Sequence, residues 1–114
     1  LHTFFQMEDG SFLAFFDDPN TPFDFKAQRD FDLHIALEVD HQRLEPMLER
    51  GRDAGIESRG ISDHGFIDSI YFRDPNGYVI ELTAKRPGQE GNVGDEGDPH
   101  EILKKWTRDK AANQ

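Results

Sequence analysis

Two stretches of alternating sequence carry a histidine and a glutamate on strands. In residues 31–39, Leu33, Ile35, Leu37 and Val39 alternate with Asp32, His34, Ala36 and Glu38, the period of two that a half-buried strand shows. In residues 61–83 two strands flank Asp74-Pro75-Asn76-Gly77, a turn in which Pro pre-sets φ while Asn and Gly tolerate positive φ. Before that turn Ile70 and Phe72 oppose Ser69, Tyr71 and Arg73; after it Tyr78, Ile80 and Leu82 oppose Val79, Glu81 and Thr83. If the apolar faces cover one helix, the other faces form a concave surface with His34, Glu38, Ser69, Tyr71, Arg73, Glu81 and Thr83. An imidazole and a carboxylate on one sheet face make two-thirds of a site for a hard or borderline divalent metal. Two His and one carboxylate leave positions open for substrate and suit Fe(II), Mn, Ni or Zn. Glu81 is a poor strand former, and burying it without a partner is costly. The simpler alternative is a hydrogen-bonded His34–Glu81 pair with no metal.

The remaining candidates are less constrained. His64 follows Ser62-Asp63 and precedes Gly65, in a predicted loop, where a surface position is the plain expectation. His41 and His100 fall at helix starts and are expected on the surface. Asp32, Glu38 and Arg73 read as a charge network on the sheet.

The elements that must position these residues follow in order. Residues 1–18 read as a hairpin with strands at 1–7 and 11–16. Its face equivalent to the concave surface carries His2, Phe4, Gln6, Phe12 and Ala14, so His2 is a possible further ligand. Pro19 to Pro22 break the pattern, and residues 23–30 form a connector. Asp40 is a candidate N-cap. Leu44, Met47 and Leu48 have helical spacing, with Pro46 in the first turn, Gly51 weakening the middle and Gly55 as the stop. A short strand is expected at 56–61. Laying Gly10 over Gly77 puts Phe4 over Tyr71 and Ala14 over Glu81, so the first hairpin reads as the tail of a second copy of the strand–helix–three-strand unit. Four segments result: 1–30, the remnant of a first module; 31–86, a complete module; 87–97, a flexible Gly- and acid-rich linker; and 98–114, a helix opened by Asp98 or Pro99. On that helix Ile102, Leu103 and Trp106 form an apolar stripe, which must dock on its own sheet or on a second subunit.

At 114 residues the chain is of single-domain size, with 32% charged and 35% hydrophobic residues and ten Phe. A net charge of −10 would repel nucleic acid and anionic membranes, so neither is an expected partner. The chain has no Cys, which excludes disulfides, a thiolate nucleophile and Cys-based metal sites. There is no apolar run of transmembrane length and no visible signal peptide, so a cytoplasmic location is expected. A sequence that opens in mid-hairpin at Leu1 implies a preceding strand and helix carrying another His.

Residues 31–39, with Ser69-Ile70-Tyr71-Phe72-Arg73-Asp74-Pro75-Asn76-Gly77-Tyr78-Val79-Ile80-Glu81-Leu82, resemble the vicinal oxygen chelate superfamily. That superfamily holds glyoxalase I, type I extradiol dioxygenases, fosfomycin-resistance proteins and the metal-free bleomycin-resistance proteins. The resemblance implies an α+β fold of paired βαβββ modules, the N-terminal one incomplete in this chain. It puts His34 and Glu81 on the family's metal-ligand positions, with the third ligand coming from a segment not in this sequence. The spacing from His64 through Ile70-Tyr71, Asp74-Pro75-Asn76-Gly77 and Glu81 is similar to the extradiol signature, with Ser62 as the one departure. By that similarity His64 is the acid–base residue and Tyr71 hydrogen-bonds the substrate. The implied activity is metal-dependent chemistry on the vicinal oxygens of a small substrate, leaning to extradiol ring cleavage with Fe(II). A glyoxalase I-like isomerase with Ni or Zn and a metal-free bleomycin-resistance-type binding protein are the alternatives. A homodimer is expected, because half a module leaves a sheet edge and apolar surface uncovered.

Overall fold

The computed structural model describes residues 1–22, 29, 32–88 and 97–114. The expected connector at 23–28 and 30, the first residue of the expected strand at 31, and positions 89–96 of the expected linker lie outside the described residues.

Among the described residues, six strands and two helices follow in the order β1 (His2–Gln6), β2 (Phe12–Phe16), β3 (His34–Glu38), α1 (Leu44–Asp53), β4 (Ser58–Asp63), β5 (Ile67–Arg73), β6 (Val79–Lys85) and α2 (Pro99–Ala112). β1 and β2 form a two-stranded sheet; β3, β6, β5 and β4 lie side by side in a four-stranded one. β3 runs parallel to β6, and the other pairs are antiparallel. The module read in residues 31–86 therefore has its strand–helix–three-strand order, with α1 as the crossover that parallel pairing requires. The strand expected at 56–61 runs instead from Ser58 to Asp63, because its pairing with β5 continues past Ile61 to Asp63 and Asp68.

Register fixes the two faces. Ile35, Leu37, Ile70, Phe72, Ile80 and Leu82 share the face toward α1. Leu44 and Leu48 of α1, Ile70, Leu82 and Ala84 are its buried core, with Leu37, Val39, Met47 and Phe72 packed around them. Gly51 has a role that spacing alone does not suggest. It is buried, and a Cβ there would stand 2.3 Å from Cε1 of Phe72, so the missing side chain is what lets α1 approach β5. Gly55 ends the helix at φ +72°, and its N–H bonds the Arg52 carbonyl at 3.0 Å. Asp40 precedes a short 3-10 turn, His41–Arg43, and its side chain makes no capping bond; its carbonyl accepts from the Arg43 N–H instead.

In the first hairpin Phe4 is paired with Ala14 and His2 with Phe16, while in the second Tyr71 is paired with Glu81 and Ser69 with Thr83. The two hairpins thus have one register under the overlay of Gly10 on Gly77. Phe4, Phe5, Phe12, Phe15 and Phe16 are all exposed. α2 opens as expected: the Asp98 side chain accepts the His100 N–H at 2.9 Å, and Pro99 fills the first helical position. Its apolar stripe does not pack on the sheet. Ile102, Leu103 and Trp106 are more than half exposed, and the Lys110 ammonium sits 4.8 Å from the centre of the Trp106 ring. No helix among the described residues is long and apolar enough to cross a membrane.

Candidate functional site

The face away from α1 carries three rows of side chains set by strand register. One row is Arg73, Val79 and His34; the next is Arg59, Tyr71, Glu81 and Ala36; the third is Ser69, Thr83 and Glu38. The expected concave surface is therefore assembled from β3, β6 and β5, and β4 adds Arg59, which sequence alternation did not single out. Gly60, the register shift at Gly60/Ser62 and the Ser-rich run blur the period in that strand.

His34 and Glu81 meet. The Nε2 of His34 lies 2.8 Å from Oε2 of Glu81, and Glu81 is 8% exposed. The carboxylate that a mid-strand position makes costly is therefore paired. Tyr71, beside Glu81 in the ladder, forms the next link. Its hydroxyl lies 2.7 Å from Nε2 of His64. Ser69 donates to Thr83 Oγ1 at 3.0 Å. Burial, and then the negative charge of Glu81, push the Tyr71 phenol above its ordinary value. Tyr71 is thus a neutral donor at physiological pH. His64 lies just beyond β4, where its N–H bonds the Ile67 carbonyl at 3.0 Å. That turn lets an exposed imidazole lean over the sheet toward a phenol seven positions along the chain.

The donor chemistry of His34 and Glu81 fits a divalent cation. Adjacent ligands about 2.1 Å from one ion at a right angle are about 3 Å apart, close to the 2.8 Å seen between Nε2 and Oε2. They are two ligands, however, not a full set. Among the described residues no group of three or more His, Asp or Glu is gathered as a metal would need. His2 does not join them: its ring packs edge-on against Phe16, 4.5 Å between centres.

Two expectations from the sequence are corrected. His41 is not a free surface histidine, because its Nε2 lies 2.8 Å from Asp68 Oδ2. Asp68 is 7% exposed and also accepts from Arg86 Nε at 3.1 Å. The hydrogen bond from His41 holds the Asp68 carboxyl below its ordinary range, with Arg86 assisting and burial opposing. Nor, among the described residues, do Asp32, Glu38 and Arg73 join in one network: Asp32 pairs with Arg29, Glu38 with Lys85 and Arg73 with Glu57. His64 is exposed as expected but bonded to Tyr71 rather than to solvent alone.

No protein-family model matches the sequence, and no curated protein matches it. Solved structures do. A glyoxalase/dioxygenase from Nostoc punctiforme is similar with a TM-score of 0.63 and 25% identity, covering 75% of this chain and 60% of its own. The fosfomycin resistance protein FosX from Listeria monocytogenes, complexed with Mn(II) and sulfate, is similar with a TM-score of 0.57 and 24% identity over 75% of this chain and 64% of that one. An integron cassette protein from the mobile metagenome of the Halifax Harbour sewage outfall has a TM-score of 0.54 and 21% identity, covering 71% and 66%. The chain spans less than two thirds of the length of these structures. All are vicinal oxygen chelate proteins, and the chain has their α+β fold, as the resemblance of residues 31–39 and 69–82 implied.

Proposed function

We propose that this chain is part of a metal-dependent enzyme of the glyoxalase/dioxygenase kind, acting on a small substrate with two adjacent oxygens. The observation that carries the reading is that two bonded pairs, His64–Tyr71 and His34–Glu81, stand side by side, Tyr71 adjoining Glu81 in the ladder. His34 and Glu81 would hold the ion, and a ligand outside the described residues would complete the set; Mn(II) in FosX supports a divalent cation. When bound, such an ion polarises the substrate oxygens as a Lewis acid. The protein's own groups do the rest. Tyr71, kept protonated by burial and by Glu81, donates a hydrogen bond to a substrate oxygen. His64, exposed at the mouth, takes the proton of a substrate hydroxyl and returns it later. A second copy of the chain is part of the proposal, as the source of cover for the exposed apolar surface.

The finer reading is extradiol cleavage of a catechol-type ring, with Fe(II) as the ion and dioxygen as oxidant. It is favoured by the His64–Tyr71 contact, since a general base beside a phenol donor suits deprotonation of a diol. The glyoxalase-like reading rests on Glu81 being buried beside Tyr71 in the ladder, which suits a carboxylate that itself carries a proton between carbons. The test loads the full-length protein anaerobically with Fe(II), adds catechol and then air, and follows the coloured ring-opened product. Product formation supports ring cleavage. Turnover of a glutathione hemithioacetal under Ni or Zn, with none of catechols, replaces it by the isomerase. Failure to retain any of these metals leaves the metal-free binding protein.

A further inference from the structure

His64 stands in the connection between β4 and β5, and its neighbours there are fastened one by one. Asp63 Oδ1 accepts the Gly65 N–H at 2.7 Å, Gly65 turns the chain at φ +90°, and the His64 N–H bonds the Ile67 carbonyl. These bonds are local. They hold the shape of the connection and do not fix where it stands over the sheet. Arg86, directly after β6, does that. Its N–H bonds the Phe66 carbonyl at 3.0 Å. Its guanidinium reaches three residues around His64: Nη2 donates to Asp63 Oδ2 at 2.9 Å, Nε to Asp68 Oδ1 at 3.1 Å and Nη1 to the Gly65 carbonyl at 3.4 Å. The anchor among these is Asp68, buried in β5, whose other oxygen meets Nε2 of His41.

We infer that Arg86 is the positioning residue for His64: it ties the β4–β5 connection to the buried Asp68 carboxylate, so that the imidazole stays against the Tyr71 hydroxyl. The inference rests on the proposed acid–base role of His64 and adds to it a residue that acts on the site only through this connection. Exposure is what makes a clamp necessary. An exposed side chain on a short connection loses backbone and rotamer freedom whenever it meets its partner, and no packing holds it there. One guanidinium grips positions 63 and 65, on either side of the histidine. Arginine suits the task because its donors lie in fixed directions in one plane and serve three acceptors at once, whereas a lysine ammonium is a point charge on a flexible stem. Charge alone is not the device: Asp63 is 60% exposed, and an exposed ion pair contributes little to stability. The gain is in placement, since a shift of about 1 Å in a reacting group costs about 10²-fold in rate.

The test reads the imidazole itself, by nitrogen-15 NMR of the full-length protein at about pH 8.5, above the ordinary imidazole range. A neutral histidine held by a hydrogen bond keeps one tautomer, and a free one averages two, with distinct ring-nitrogen shifts. His64 is expected to show one tautomer in the natural chain, and the exposed His100 the average. Arg86→Gln and Asp63→Asn should each move His64 to averaged shifts, with Arg86→Lys in between. Asp63→Asn leaves the Asp68 contacts in place. It keeps the oxygen that accepts the Gly65 N–H but turns an amide donor toward the guanidinium. Should Arg86→Gln lose the dispersed amide shifts of a folded chain, Asp63→Asn alone decides. A single His64 tautomer in Asp63→Asn or in a folded Arg86→Gln overturns the inference, and so does averaging already present in the natural chain. The acid–base role fails separately: His64→Ala turning over catechol under Fe(II) at the natural rate removes that role and leaves the clamp standing.

Discussion

At the scale of single residues, the pairs His34–Glu81 and His64–Tyr71 have different work, and substitution should separate them. Glu81→Ala or His34→Ala is expected to lose metal and activity together, as read by metal analysis of the purified protein. Full metal occupancy in Glu81→Ala would end the ligand assignment. His64→Ala and Tyr71→Phe should keep the metal and lose rate, by about 10²–10⁴-fold for the acid–base histidine; loss of metal in either would make it a ligand instead. Tyr71 also has a direct spectroscopic signature. Its phenol is pushed up by burial and by the Glu81 charge, so the neutral form is favoured in the folded state. Ultraviolet titration should show one tyrosine still protonated at about pH 10, where a free tyrosine is half ionised, and Tyr71→Phe should remove that late step. An unchanged titration curve in the variant would contradict the geometry. His34, Glu81 and Tyr71 were legible because strand alternation alone puts them on one face. Arg59 was not, since β4 carries a register shift. The His41–Asp68 pair was not either, since it joins a 3-10 turn to a strand 27 positions away, a separation no local pattern reports.

Between residues and fold stand the elements, and two of their joints make predictions. Asp68 at the start of β5 fastens the 3-10 turn before α1, through His41, and the end of β6, through Arg86. Its folded pKa is lowered. By linkage, its stabilisation is present above the unfolded value of about 3.9 and is lost as pH falls through the folded value. Urea unfolding at pH 7 and pH 3 should therefore show a larger loss in the natural chain than in Asp68→Asn; equal losses would sink the assignment. Asp9 and Asp18 have lowered values too, through bonds from Ser11 and Thr21, but they are common to both proteins and cancel. The second joint is Gly51. In an exposed helix Gly→Ala stabilises by about 1 kcal/mol. Here the added methyl meets the Phe72 ring at 2.3 Å, and overpacking costs about 1–3 kcal/mol. The contact should win, so Gly51→Ala should lower the urea midpoint; a raised midpoint would show that α1 can back away from β5. A glycine read from sequence as a weak point is thus a packing requirement, which only the facing ring reveals.

On the scale of the whole molecule, the order strand–helix–three strands and the shared register of the two hairpins were readable from periodicity and turn chemistry. What covers the apolar surface was not, because exposure depends on the neighbours an element finds. Among the described residues, exposed large apolar side chains gather at two places: the five exposed Phe of the first hairpin, and Ile102, Leu103 and Trp106 of α2. Their charges differ in sign. Residues 98–114 hold four Lys or Arg against three Asp or Glu, a net +1, which leaves −11 of the total −10 on the remainder. Between the first hairpin and the main sheet lies a groove of about 720 Å³, floored by Leu13, Ala14, Ile35 and Ile80 and rimmed by Asp17, Asp18 and Asp74. An apolar stripe flanked by Lys105 and Lys110 suits such a groove on a second copy. The expected outcome is a dimer in sedimentation at tens of micromolar, with Trp106→Asp shifting it toward monomer. A single 13.1 kDa species in the natural chain would refute the dimer. A dimer indifferent to Trp106→Asp would keep the assembly and move its contact to the phenylalanine hairpin.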